Sequence, residues 1–169
     1  PLINYISASY GYKLNFKTAK NIPAFEKHLA AQEYDIAYMN PYHYTLFHES
    51  ANYHALLKAS SKFIQVIILV HTDSPYKSLK DLENQKIALP SANAFAASML
   101  TQEEFRKHNI SISTDYVSSH DSVYRNIVLR RYQAGGGVMR TLNNLDPETR
   151  KQLRILWKSK PYTPHAIAS

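Results

Sequence analysis

Residues 118–142, SSHDSVYRNIVLRRYQAGGGVMRTL, gather the side chains best suited to chemistry. Ser118, Ser119, His120 and Asp121 stand directly ahead of an apolar repeat at Val123, Tyr124, Ile127 and Val128. That spacing predicts a helix over about 120–132 with one apolar stripe, capped by an oxygen of Ser119 or Asp121. The free N–H groups and the dipole of such a terminus suit an anion. An ordinary cap with a hydrogen-bonded histidine is the other reading of the same residues. Ser119, His120 and Asp121 cannot form a nucleophilic triad among themselves, because their side chains point in different directions. His43 and His48 are five positions apart, the wrong spacing for two metal ligands on one helical face, and His54 has no convergent partners. The sequence has no GxGxxG, P-loop, HExxH or GxSxG motif. Binding is therefore favoured over catalysis, and no cofactor or metal is expected.

The elements that must position these residues alternate in type. Ahead of the helix, 115–117 reads as a strand. Behind it come Gly135, Gly136 and Gly137, three of the chain's four glycines. Glycine concentrated in this way predicts a turn or strand end where backbone comes close to something. At the start, PLINYISASYG reads as a helical end and 12–17 as a short strand with period-two polarity. A helix follows over 22–32, with Pro23 in its first turn. A buried strand at 35–39 runs into Asn40-Pro41, and a helix restarts over 42–49. Strands are expected at 54–58 and 65–71, the second apolar throughout, as in the middle of a parallel sheet. After a turn at 72–75 come a short capped helix (78–82), a strand (86–89) and a long helix (92–108) with Phe95, Ala96, Met99 and Leu100 inward. Asp146-Pro147 opens another helix, and 153–158 and 165–169 read as strands. Alternation over the whole length predicts an α/β fold with mainly parallel sheets.

Composition narrows the partners. The 169 residues suffice for one medium domain or two small lobes. The longest unbroken apolar run, Val66 to Val70, is far short of a membrane span. The absence of cysteine removes disulfides, thiolate metal sites and cysteine nucleophiles. A net charge of +7 suits an anionic ligand or nucleic acid. The lysines and arginines are scattered, however, with no run longer than two and no alternation with aromatic residues. Nucleic acid is not expected as a partner.

The order of YDIAYMNPYHY, FIQVIILVHTDSPYKSLKDLENQKIAL, a helix-starting loop, SSHDSVYRNIV and ILWKSKPYTPHAIAS resembles the periplasmic phosphate/phosphite/phosphonate-binding components of ABC transporters. The resemblance covers essentially the whole chain. It implies a two-lobed, periplasmic-binding-protein-like α/β fold with the ligand between the lobes. Lobe one would hold residues 1–71 plus 163–169, and lobe two 72–162, with crossings near 68–72 and 162–168. Lobe one would be incomplete, lacking its first strand and its terminal helices. The implied ligand is a small oxyanion, the implied location periplasmic or otherwise extracytoplasmic, and the protein a monomer. Its partners would be ABC permease subunits or, in the alternative use as the sensing domain of a membrane receptor, a sensor kinase. An α/β enzyme or nucleic-acid-binding domain is the remote alternative.

The same resemblance names site residues. His120 matches the family's histidine beside the ligand, with Ser119 and Asp121 next to it. Tyr38, Asn40 and Tyr42 follow a strand's carboxyl end, where open sheets bind ligands. Where phosphonate binders carry a Ser-Thr-Ser-Gly-like run, this chain has Ala94, Phe95, Ala96 and Ala97, with only Ser91 and Asn93 as polar neighbours. Losing two or three hydroxyl hydrogen bonds of roughly 1 kcal/mol each weakens such binding, although the backbone N–H groups survive. Where aminoalkylphosphonate binders carry two acidic residues, this chain has Arg140 and His165. That exchange implies a ligand without an amine.

Overall fold

The computed structural model describes residues 2–169; Pro1, where the expected helical end begins, lies outside them. The first helix is α1 (Leu2–Tyr10). Residues 12–17, expected as a strand, have no regular structure: no neighbouring strand pairs with them, and a lone strand is not stable. Helix α2 (Ile22–Ala30) starts where the Asn21 side chain accepts the Ala24 N–H, with Pro23 in the first turn. Strand β1 (Ala37–Met39) leads into Asn40, whose Oδ1 accepts the His43 N–H at 2.8 Å and so caps α3 (Pro41–Ala51). Then come β2 (Ala55–Lys58), β3 (Val66–His71), a 3₁₀ turn (Leu79–Leu82) and β4 (Lys86–Leu89). The expected long helix is a π-helical turn (Phe95–Leu100) running into α4 (Thr101–Lys107). The remaining elements are β5 (Ser113–Tyr116), α5 (His120–Val128), β6 (Ala134–Val138), α6 (Met139–Asn143), α7 (Pro147–Lys151), β7 (Leu153–Lys158) and β8 (Ala166–Ala168). Helix α5 ends at Val128, the last residue of its apolar repeat and short of the expected 132, and Arg130 beyond it turns left-handed at φ 55°.

Two sheets result. In the smaller, β8 lies between β1 and β2, antiparallel to both. The larger has the order β5–β4–β6–β3–β7. Here β4 is parallel to β5 and β6, while β3 is antiparallel to β6 and β7. The larger sheet is therefore mixed and the smaller antiparallel, where mainly parallel sheets were expected. An all-apolar strand such as β3 reports cover on both faces, and Val66 to Val70 are indeed fully buried, but it carries no information on direction. Val66–His71, expected in lobe one, belongs to the larger sheet because only there are both of its faces covered. Residues 59–65 and 159–165 connect the two units and pair with each other where Ile64 and Tyr162 exchange two backbone hydrogen bonds.

Each unit has its own core. Leu29, Met39, Phe47, Tyr53 and Ala168 pack around the smaller sheet. The larger sheet is covered on one face by Leu79, Leu82, Phe105 and Ile110, and on the other by Val123, Tyr124, Ile127 and Leu142. The three glycines form neither a turn nor a strand end; they are the interior of β6, with Gly136 opposite Ile68. Their task is close approach. A Cβ on Gly136 would clash with the Ala97 carbonyl oxygen and stand 2.8 Å from the Thr101 hydroxyl, and a Cβ on Gly137 would stand 2.6 Å from the Tyr124 hydroxyl. The π turn and α5 thus rest directly on β6 backbone. Gly136→Ala should cost about 1–3 kcal/mol, because the atom in the way is a backbone carbonyl that cannot rotate aside. Denaturant unfolding checks this; a variant as stable as the parent contradicts the packing.

Candidate functional site

Between the two sheets lies a cavity of about 420 Å³. The larger unit contributes Ala94–Ala97 from the start of the π turn, His120 from the first position of α5, and Val138, Arg140 and Thr141 where β6 ends. The smaller unit contributes Ile22, Phe25, Tyr38, Asn40 and His43, and the connecting segment 159–165 adds Pro164 and His165. Ala59 and Lys62–Gln65 come from the connection. The walls thus follow the carboxyl ends of β1, β4, β5 and β6, the usual place for ligands in open α/β sheets.

The expected residues divide by which way their backbone turns them. His120, Tyr38, Asn40, Ala94, Phe95, Ala96, Arg140 and His165 all line the cavity. Tyr38 stacks on His165 with ring centroids 4.9 Å apart and planes 21° from parallel, and Phe95 meets Tyr162 edge-on. Ser119 is outside the wall: its Oγ accepts the Ser122 N–H at 3.1 Å and caps α5. Asp121 is exposed on the same first turn, one helical step of rotation away from His120. Tyr42 also stays off the wall, its ring against His43 at 5.9 Å. Ser91 lies behind the π turn with its hydroxyl buried, and Asn93 donates to Glu26 Oε2 at 3.0 Å, a link between the two units. Residues 38 and 40 therefore line the cavity without Tyr42, because position 42 is already helical and turns away.

Sequence reasoning missed His43, Lys62, Gln65, Phe25, Phe63 and Thr141, all of which line the cavity. His43 is the one with a readable signal. It stands three residues after the Asn40 cap and four before buried Phe47, which puts it on the inner stripe of α3. Lys62, Phe63 and Gln65 sit in a connection with no periodicity, so only the fold brings them in.

Arg140 and Lys62 bring positive charge to the wall, and among the described residues no Asp or Glu lines it. Three imidazoles share the site. Burial pushes His165 down to about 4, assisted by Arg140 and His43. Burial also lowers His120, against the pull of Asp121 and with the help of Arg140. His43 is lowered by burial as well, which outweighs the opposing charge and hydrogen bond of Glu26. The His43 Nε2–Glu26 Oε1 contact of 3.1 Å is accordingly a hydrogen bond from a neutral ring to a carboxylate rather than an ion pair. His120 Nδ1 is buried with no protein partner.

A family model described as "ABC transporter, phosphonate, periplasmic substrate-binding protein" matches residues 1–169. The chain belongs to this family. The family consists of transporter binding proteins of the periplasm. Solved structures agree in fold. A binding protein component of an ABC phosphonate transporter from Pseudomonas aeruginosa superposes with a TM-score of 0.83 at 16% identity, over 99% of this chain and 61% of its own. A Prochlorococcus marinus protein in complex with methylphosphonate gives 0.87 at 13% identity, over 99% and 68%. A Xanthomonas citri protein bound to ATP gives 0.78 at 16%, over 99% and 70%. The chain therefore spans roughly two thirds of the length of these proteins, and its architecture is the two-lobed type II periplasmic-binding fold. No curated protein sequence matches it.

The buried imidazoles make folding pH-dependent. In the unfolded chain a histidine titrates near 6.5, whereas folded His165 does so at about 4, and His43 and His120 shift in the same direction. As pH falls, the unfolded state takes up these protons first. Their contribution is complete above about pH 6.5 and is lost on the way down to about pH 4. Urea midpoints should hold steady above neutrality and drop through that window, with a shallower drop for His165→Gln. A midpoint independent of pH across the window contradicts the neutral, buried rings.

Proposed function

We propose that this chain is the ligand-binding unit of a solute-binding protein that presents a small oxyanion without an amine to ABC permease subunits outside the cytoplasm. The observation that carries the reading is the sign of the wall: Arg140 and Lys62 line the cavity and no carboxylate does, among the described residues. Asp146 and Glu148, the acids that follow Arg140 in the sequence, are engaged elsewhere, since Asp146 caps α7 and Glu148 pairs with Lys151, and Asp121 is exposed and off the wall. An ammonium group about 4 Å from the Arg140 guanidinium would be repelled by ~4 kcal/mol at an effective dielectric of 20. An oxyanion in the same place gains a two-pronged, charge-assisted contact.

The remaining donors are neutral. His120 offers its ring nitrogen from α5, and the hydroxyl-free run Ala94–Ala97 has only backbone to offer. Lobes formed by residues 2–58 with 166–169 and by 66–158 close about the paired connections, and the Glu26–Asn93 hydrogen bond ties them together on the α2 side. The methylphosphonate held by the Prochlorococcus marinus protein supports the ligand class. Because burial and Arg140 hold His120 and His165 neutral, a bound anion favours their protonation, so affinity rises as pH falls from neutrality.

Titration calorimetry tests the reading. Methylphosphonate should bind and 2-aminoethylphosphonate should not, and Arg140→Ala should weaken the first by about tenfold or more. Tight binding of the amine-bearing ligand, unchanged in Arg140→Ala, contradicts it.

A further inference from the structure

The two units meet at two junctions. One is the paired connections, where Ile64 and Tyr162 exchange backbone hydrogen bonds. At the other, Asn93 Nδ2 donates to Glu26 Oε2 at 3.0 Å. Among the described residues this is the one side-chain hydrogen bond that runs directly from residues 2–58 to residues 66–158. The cavity reaches from one junction to the other. Lys62–Gln65 line it from the connection, Phe25 lines it beside Glu26, and Ala94 lines it beside Asn93.

The second junction is built around a charge. The Glu26 side chain is 15% exposed, and a carboxylate so far from water needs donors. His43 Nε2 supplies one at 3.1 Å from within the smaller unit, and Asn93 supplies the other from across the cleft. The His43 side chain is 4% exposed and itself lines the cavity, so it holds the carboxylate in place from the wall. A hydrogen bond to an ionised acceptor is about twice as strong as one between neutral groups. We propose that Glu26 and Asn93 form a latch that holds the two units together before any ligand arrives, with His43 as the support of the carboxylate. This rests on the reading of the units as lobes that close about the paired connections, and on no particular ligand. A ligand of the closed form then meets a protein already populated in that form, and its apparent affinity falls with the closed fraction when the latch is removed.

The chain has no cysteine, so Lys20→Cys and Tyr116→Cys give unique sites for a pair of spin labels. Both positions are exposed, one ahead of α2 and the other at the end of β5, on opposite units. Double electron–electron resonance on the full chain, without ligand and near neutral pH, should show the short, closed distance as the main population. Asn93→Ala should raise the ratio of long to short distances about tenfold or more, the scale of a hydrogen bond to a charged group. Asn93→Asp should raise it further, because it sets two carboxylates against each other. Both variants keep the Glu26–His43 bond, so a role of Glu26 confined to its own unit predicts no change. A distance distribution the same in parent and variants overturns the latch. The oxyanion reading is tested without these variants, by the calorimetry above, and stands or falls separately.

Discussion

Bare backbone in one strand governs the geometry of the whole larger unit. With no Cβ at Gly135, Gly136 or Gly137, α5 packs Val123, Ile127 and Tyr124 straight onto β6, and the π turn sets the Ala97 carbonyl beside it from the other face. These two contacts decide how far into the cleft His120 and Ala94–Ala97 reach. The π turn is a consequence of the same closeness, since a wider turn lets the chain begin its helix against flat backbone and continue as α4. Tyr124 then carries the constraint onward: its hydroxyl hydrogen-bonds the Thr141 hydroxyl, which fixes one wall of the cavity to the helix that holds His120.

Within that frame, charge is sorted by burial. The imidazoles are the groups that can give up charge when water is removed, and all three do. Arginine cannot, so Arg140 keeps its positive charge and adds to the burial that holds His120 and His165 neutral. A site built this way sets the charges of Arg140 and Lys62 among three neutral imidazoles and so avoids the self-repulsion of five clustered cations.

How much of this was readable from the sequence depended on whether the signal was local. The Asn40-Pro41 cap, the strand–helix succession and the position of His120 at a helix start rest on nearest neighbours, and each is found where its residues put it. Strand direction was misread because Val66 to Val70 encodes burial alone. Residues 12–17 alternate like a strand, yet alternation cannot supply the partner whose absence leaves them irregular. The π turn was unreadable for a third reason: Ala94, Ala96 and Ala97 suit any helix, and what selects the wider turn is a glycine forty positions downstream. Among site residues, Arg140 and His165 were found through the family's pattern, whereas Lys62 and Gln65 lie in an irregular connection with no pattern to find.

Glu26 shows how the negative charge nearest this cleft is kept from opposing an anion. Its carboxylate is largely buried and holds two donors, His43 from its own unit and Asn93 from the other. Two hydrogen bonds to one carboxylate compensate its loss of water. They also give that charge a structural use, because the Asn93 bond forms only when the units are together. His43 both lines the cavity and bonds Glu26, whose own carboxylate is not on the wall. A carboxylate that links the two units thus sits behind a wall that carries arginine, and the imidazole bonded to it is neutral.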